Sequence, residues 1–315
     1  MTDSVRATTR LRSLLAAGEP LFVPGCYNAL TARILEHVGF PAVYMTGYGT
    51  SLALLGLPDA GLATMSEMHL NARYIANAVG VPVIADADNG YGNAINVIRA
   101  VREYIQTGVA GIHIEDQVVP KRCGHVAGRQ VIPLAEAAGK FRAADHVRRE
   151  LDPDFLLIAR TDARGAHHGS LDEAIRRASA YLEAGADLAF VEGPTTLDEV
   201  HRICRELCGR VFYNQTGVSP RLTLAEMRDL GIAITISPGA ILRLTIQAVY
   251  DFAVALRDQG PAAETEFSER FRSHPLGDFH TFAGFDRIRQ WEDQFLPREE
   301  LEKYSDSVGH LPSRT

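Results

Sequence analysis

Fifteen residues, Gly111 to His125 (G-I-H-I-E-D-Q-V-V-P-K-R-C-G-H), hold two acids, two cations, a thiol and two imidazoles. Ile112 and Ile114 alternate with His113 and Glu115, the period-two signature of a strand, which puts Glu115 and Asp116 at the strand's end. Pro120 stops any ladder, and Gly124 gives the Lys121-Arg122-Cys123-Gly124-His125 turn the backbone freedom to close over something. That turn reads as a gate carrying a reactive group. Its cations would lower the Cys123 thiol from its ordinary pKa of about 8.5, so that it trades a proton near neutral pH.

Other chemistry falls at comparable places. Asp86 and Asp88 stand two residues apart and so share one side of an extended backbone. With Glu115, and with Asp59 from the long segment before, up to four carboxylates would converge. Crowded anions repel and take up protons unless a cation lies among them. A hard divalent ion resolves this, Mg²⁺ first and Mn²⁺ as its substitute, held by one or two carboxylates directly and by others through water. The plain alternative is a set of separate helix caps and surface acids. Arg160 and Arg243 are candidate forks for a substrate carboxylate, because guanidinium offers two parallel hydrogen bonds. Cys204 and Cys208, one helical turn apart near His201, read as ordinary helix thiols rather than metal ligands.

Something must position these side chains. Short apolar runs alternate with helical patterns eight times: Leu21 to Pro24, Ala42 to Thr46, Pro82 to Asp86, Gly111 to Glu115, Phe155 to Ala159, Leu188 to Val191, Val211 to Tyr213 and Ile232 to Ile236 each precede a loop and a helix. Gly47 to Thr64 reads as the loop of the second unit. Eight such units predict a parallel (β/α)₈ TIM barrel, with a doubly wound open sheet as the alternative. In a barrel the strand ends should carry the chemistry, and every one of these runs ends in a polar residue or leads into one within a few residues. The expected barrel domain is 1–260. Residues 261–315 hold six of the thirteen Phe and the single Trp, Trp291, and read as a C-terminal helical arm whose aromatic surface needs a partner.

The chain has 315 residues, a net charge of −7 and no long Lys/Arg run, which argues against nucleic acid. No window reaches the roughly 18 apolar residues of a membrane span. Four cysteines without framework spacing suit a cytoplasmic protein with reduced thiols.

Taken together, K-R-C-G-H after H-I-E-D-Q, D-A-D-N-G-Y-G-N, G-L-P-D and A-R-T-D resemble the isocitrate lyase/phosphoenolpyruvate mutase superfamily, over about residues 11 to 260. The resemblance implies a barrel with a helix swapped between subunits, usually a tetramer, and Mg²⁺-dependent making or breaking of bonds next to an α-keto acid. It makes Asp86 and Asp88 metal-site carboxylates, with Asp59 and Glu115 holding metal waters. Thr46, Gly47 and Tyr48 take the keto-acid end, Cys123 is the acid of a gate whose Lys121 and His125 join the catalytic set, and Gly124, Arg160, Glu192, Asn214 and Arg243 complete the substrate contacts. Tyr48 and a metal-bound water are the two candidate bases. The Cys-bearing gate is similar to that of the carbon–carbon lyases that act on methylisocitrate or dimethylmalate. A carboxyphosphonoenolpyruvate-type phosphonomutase, an oxaloacetate hydrolase and a non-catalytic keto-acid-binding barrel are the alternatives. Where those lyases place an acid soon after the seventh-strand Asn, this chain has Asn214-Gln215-Thr216-Gly217-Val218.

Overall fold

A computed structural model describes residues 5–305 and 307–313. Eight parallel strands lie in the order β6-β5-β4-β3-β2-β1-β8-β7. They are β1 (Leu21–Cys26), β2 (Val43–Met45), β3 (Val83–Asp86), β4 (Gly111–Glu115), β5 (Leu156–Thr161), β6 (Leu188–Val191), β7 (Phe212–Asn214) and β8 (Ile234–Ser237). A parallel bridge between Ala189 and Val211 joins β6 to β7, so the sheet is a nearly closed barrel flanked by helices, the TIM-barrel fold.

Strand periodicity explains where each side chain goes. Val43, Met45, Val83, Ala85, Ile112, Ile114, Leu157 and Ala159 point outward into the core under the helices. Tyr44, Ile84, Ile158, Phe190, Phe212 and Ile234 point inward, with Leu11 of helix α1 (Ala7–Ala16), and fill the barrel axis. Continuing the inward register by two residues brings Ile84 to Asp86, Ile158 to Arg160, Phe190 to Glu192 and Phe212 to Asn214. On β4 the inward positions are His113 and Glu115. The strands therefore change from apolar to ionic at one rim, the end at which barrel enzymes carry their sites.

The segment expected as one loop from Gly47 to Thr64 instead begins with a helix, α3 (Gly47–Leu55). Thr46 caps it, its side chain accepting from the Gly49 amide at 3.3 Å. Two glycines and a run of small residues hid this helix from a reading based on apolar spacing. Helix α4 (Met65–Ala78) starts where expected, on a capping box of Thr64 and Glu67.

The chain separates into two compact units, residues 1–245 and 246–315, a division that falls inside the last barrel helix, α10 (Ala240–Gln259). In the second unit, Phe252, Phe267 and Phe271 stack in series with centroids 5.0 and 5.6 Å apart, and Arg289 lies 3.6 Å over the Tyr304 ring. Phe285, Trp291 and Phe295 remain exposed on helix α13 (Phe285–Phe295). Among the described residues, no helix is long and apolar enough to cross a membrane.

Candidate active site

The ionic rim is densely paired. Asp86, last residue of β3, accepts from the Asp88 amide at 2.9 Å and from the Gly47 amide at 3.2 Å. Gly47 has to be glycine here, because a Cβ would collide with the Asp86 carboxylate. Beneath Asp86 lies His113, whose Nε2 is 3.5 Å from Asp86 Oδ1 and 2.7 Å from the Tyr44 hydroxyl. Burial pushes His113 down to about 4, so the imidazole is neutral at pH 7. Burial would raise Asp86, but His113, Lys121 and Arg160 outweigh it and hold the carboxyl below its ordinary range.

Asp88 sits at a left-handed φ of 47° and aims its carboxylate at Lys121, 2.6 Å away. The same ammonium reaches Asp59 at 2.5 Å. Burial opposes the charge on Lys121, yet Asp88, Glu115, Asp86 and Asp59 raise its pKa well above normal, so it is an ammonium throughout the physiological range. Burial, with Asp86 and Asp59 nearby, raises Asp88 to about 6 against the pull of Lys121. Glu115 is also raised well above its ordinary value, first by burial. Arg160 Nη1 stands 3.3 Å from Glu115, and both Glu115 oxygens lack a hydrogen-bond donor.

These carboxylates fit a hard cation. They offer oxygen donors only, they are crowded enough to raise one another, and Glu115 carries two buried acceptors with lone pairs to spend. Among the described residues no three His, Cys, Asp or Glu side chains converge at ligand spacing. Lys121 stands between Asp59 and Asp88 instead, supplying the positive charge that the expected four-carboxylate cluster requires. Mg²⁺ retains several waters and needs only one or two direct carboxylates, so a donor set this sparse suits it better than a metal that demands a full protein cage.

The other half of the rim is a polar ring. Asn214 donates to Glu192 at 3.1 Å, Thr216 donates to Asn214 Oδ1 at 2.7 Å, and His125 Nε2 meets the Thr216 hydroxyl at 3.2 Å. His125 Nδ1 returns to within 3.6 Å of Glu192 Oε1. Arg160 faces this ring, but its fork is engaged: Nε and Nη2 grip Asp162 at 2.9 and 3.1 Å. Its position is thus set by the protein before any ligand arrives.

The segment expected as a gate, 121–125, packs over both halves. Its stems pair, Gln117 bridging Val131 and the Val118 amide donating to Gln130 O at 3.1 Å. Gln117 clasps the Arg122 backbone through both amide atoms, and the Cys123 amide donates to Asp59 O at 3.0 Å. Cys123 is 8% exposed and Lys121 is 4%. Gly124 packs so tightly that a Cβ would strike Arg160 and Glu192. The expectation of an acidified thiol is overturned: the Cys123 pKa is raised, because burial and the Asp59 charge outweigh the Cys123–His125 backbone contact and the cations Arg160 and Lys121. A protonated thiol is the form a general acid needs.

Thr46 caps α3 beside the Asp86 carboxylate, and Tyr48 is half exposed in the first turn of that helix. Arg243 lies exposed near the start of α10, and none of the described polar contacts ties it to the rim. Four participants were given no role from the sequence: His113 and Tyr44 under Asp86, Asp162 behind Arg160, and Arg129, whose Nη1 donates to Asp162 at 3.0 Å. Asp162 had a signal, since it stands two residues beyond Arg160 on an extended strand and so shares its side.

The fold and rim define a (β/α)₈ enzyme with a closed, thiol-bearing lid over paired carboxylates and a fixed guanidinium. The phosphoenolpyruvate phosphomutase family model matches residues 11–257. The chain is 42% identical to 2,3-dimethylmalate lyase of Eubacterium barkeri over 92% of its length and 99% of the relative's. It is 41% identical to 2-methylisocitrate lyase of Aeropyrum pernix over 76% of each. A crystal structure of 2,3-dimethylmalate lyase superposes with a TM-score of 0.86 at 33% identity, covering 97% of this chain and 99% of that one. A phosphonopyruvate hydrolase complexed with oxalate and Mg²⁺ gives 0.82 at 30% identity, covering 93% and 100%. The chain belongs to the phosphoenolpyruvate phosphomutase family of the isocitrate lyase/PEP mutase superfamily, and with these relatives it is a carbon–carbon lyase.

Proposed function

We propose that the protein cleaves a 2-hydroxy di- or tricarboxylate of the 2-methylisocitrate or alkylmalate type into an α-keto acid such as pyruvate and a second carboxylic acid. The observation that carries this reading is the buried, protonated Cys123 thiol on a gate whose next residue, Gly124, abuts Arg160 and Glu192. Loss of the hydroxyl proton turns the carbinol carbon into the ketone and sends the carbon–carbon electron pair to the carbon α to the second carboxylate. Cys123 gives its proton to that carbon. Substrate and the two products therefore balance without added water. Tyr48 is our candidate for the group that takes the hydroxyl proton, and Thr46 and Gly47 for contacts to the keto-acid half.

Mg²⁺, or Mn²⁺ in its place, would supply positive charge to the developing oxyanion of the keto acid; Asp86 and Asp88 would hold it, with Asp59 and Glu115 through water. Arg160, already oriented by Asp162, would clamp a carboxylate, and Glu192, Asn214 and His125 would line the distal half. Lys121 neutralises the carboxylates it bridges when the gate is down. The exposed Phe285, Trp291 and Phe295 fit an arm exchanged between copies in a cytoplasmic homotetramer, which would cover them.

The test is incubation with Mg²⁺ and a panel of 2-alkylmalates, 2,3-dimethylmalate, 2-methylisocitrate, isocitrate and oxaloacetate, following keto-acid release by coupled reduction. Release from an alkylmalate or methylisocitrate, abolished by chelator, supports the reading. Conversion of oxaloacetate alone, or silence across the panel with oxalate still binding in the presence of Mg²⁺, overturns it in favour of a hydrolase or a phosphonomutase.

A further inference from the structure

Arg129 lies outside the gate's reactive tip and outside every contact proposed for substrate, yet it is a nearly buried guanidinium at the downstream end of the gate. Its Nη1 donates to Asp162 Oδ1 at 3.0 Å, the oxygen that also accepts from Arg160 Nη2 at 3.1 Å. Asp162 is fully buried, and its backbone is fixed separately, the amide donating to Asp116 Oδ1 at 3.0 Å. Around Arg129 the packing is tight: the His167 amide donates to its carbonyl at 3.1 Å, and a Cβ on Gly165 would overlap its guanidinium.

Arg160 is thus held from two directions by one loop. Gly124 at the gate's tip abuts Arg160 Nη2, and Arg129 at the gate's stem reaches the same guanidinium through the carboxylate they share. Asp162 is the shared buried acceptor of both guanidinium groups, so the Arg129 contact that anchors the stem and the contacts that orient Arg160 are made to one carboxylate. When the stem lifts, Arg129 leaves, and Asp162 faces Arg160 alone.

We infer that Arg129 is a positioning residue that couples gate closure to the orientation of Arg160 through Asp162. The closed gate and the set guanidinium are two parts of one state. This rests on reading 121–125 as a gate, but it needs no particular substrate.

The gate's own thiol supplies the assay. Full-length protein is treated with iodoacetamide at fixed pH, and alkylation of each cysteine is timed by peptide mass spectrometry. Cys123 reports gate opening, exposed Cys208 reports reagent, and buried Cys26 and Cys204 report unfolding. In Arg129→Met, alkylation of Cys123 should rise by about tenfold or more, since removing one partner of a buried ion pair strongly disfavours the closed form. Cys26 and Cys204 should keep their wild-type rates. Arg129→Lys, which restores a charge within reach of Asp162, should return Cys123 most of the way to the wild-type rate. An unchanged Cys123 rate in Arg129→Met overturns the proposal. So does a parallel rise at Cys26 and Cys204, which would make Arg129 a general stability residue, and so does a Lys variant no better than Met. Because no turnover is measured, failure of the lyase assay and failure of this coupling are separate results.

Discussion

Asp162→Asn perturbs the ion pairs behind the site while nearly preserving shape. The carboxylate accepts from Arg160 Nε and Nη2 and from Arg129 Nη1, all between 2.9 and 3.1 Å, in a place without solvent. Asparagine keeps one acceptor oxygen for Arg129 and Arg160 Nη2 but turns an NH₂ group toward Arg160 Nε–H, donor against donor. Arg129 also loses its counter-charge, and Arg160 is left with Glu115 and Glu192. Breaking a buried pair by removing one partner costs about 3–5 kcal/mol, and the retained acceptor places this case near ~3. With an unfolding entropy of about 2.1 cal/mol/K per residue over the 245-residue unit, the melting temperature should drop by roughly 6 °C at pH 7. The pH dependence has a definite sign. Arg160 and Arg129 overcome burial and hold the Asp162 carboxyl below its ordinary value, so the folded state binds that proton more weakly than the unfolded state. The stabilisation is full above the unfolded value of about 3.9 and is lost as pH falls through the folded one. Melts of wild type and variant should therefore differ fully at pH 7 and 5 and begin to approach each other below about pH 4. A variant within a degree of wild type at pH 7, or a gap that ignores pH, would refute the reasoning.

Two further outcomes follow from the gate. Cys123→Ser should leave the melting temperature and Mg²⁺-dependent oxalate binding unchanged while turnover falls about 10² or more, the scale of a lost general acid; normal turnover would remove Cys123 from that role. Gly124→Ala should hold the gate off Arg160 and Glu192, an overpacking of about 1–3 kcal/mol, and so lower kcat/KM by roughly 10- to 100-fold and expose Cys123 to alkylation. Wild-type kinetics in that variant would mean that the gate does not need to lie where it does.

The barrel was legible because its signals are local and repeated. Each apolar run ended in or led into a polar residue, and the inward register carried Asp86, Glu115, Arg160, Glu192 and Asn214 to one rim. Helix α3 was not legible, because Gly47, Gly49, Thr50 and Ser51 pack by smallness rather than by an apolar stripe, and all four are buried. The Cys123 thiol was misjudged for a different reason. Sequence shows the cations beside it but not its desolvation or the nearby Asp59 charge, and those decide the sign. Arg129 and Asp162 are thirty-three residues apart and meet only through the fold, beside the end of β5. His113 was visible as a strand residue, but its partner Tyr44 lies on β2, two strands away in a barrel whose curvature no alternation pattern reveals.

The most direct test of the central claim is proton NMR of the reaction run in D₂O with Mg²⁺ and 2,3-dimethylmalate or 2-methylisocitrate. Cleavage with Cys123 as acid predicts an α-keto acid and an equimolar second acid bearing one deuterium on the carbon α to its carboxylate, both lost on chelation and both reduced about a hundredfold in Cys123→Ser. Absence of a keto acid from either substrate, or a keto acid formed at the same rate by Cys123→Ser, would contradict it.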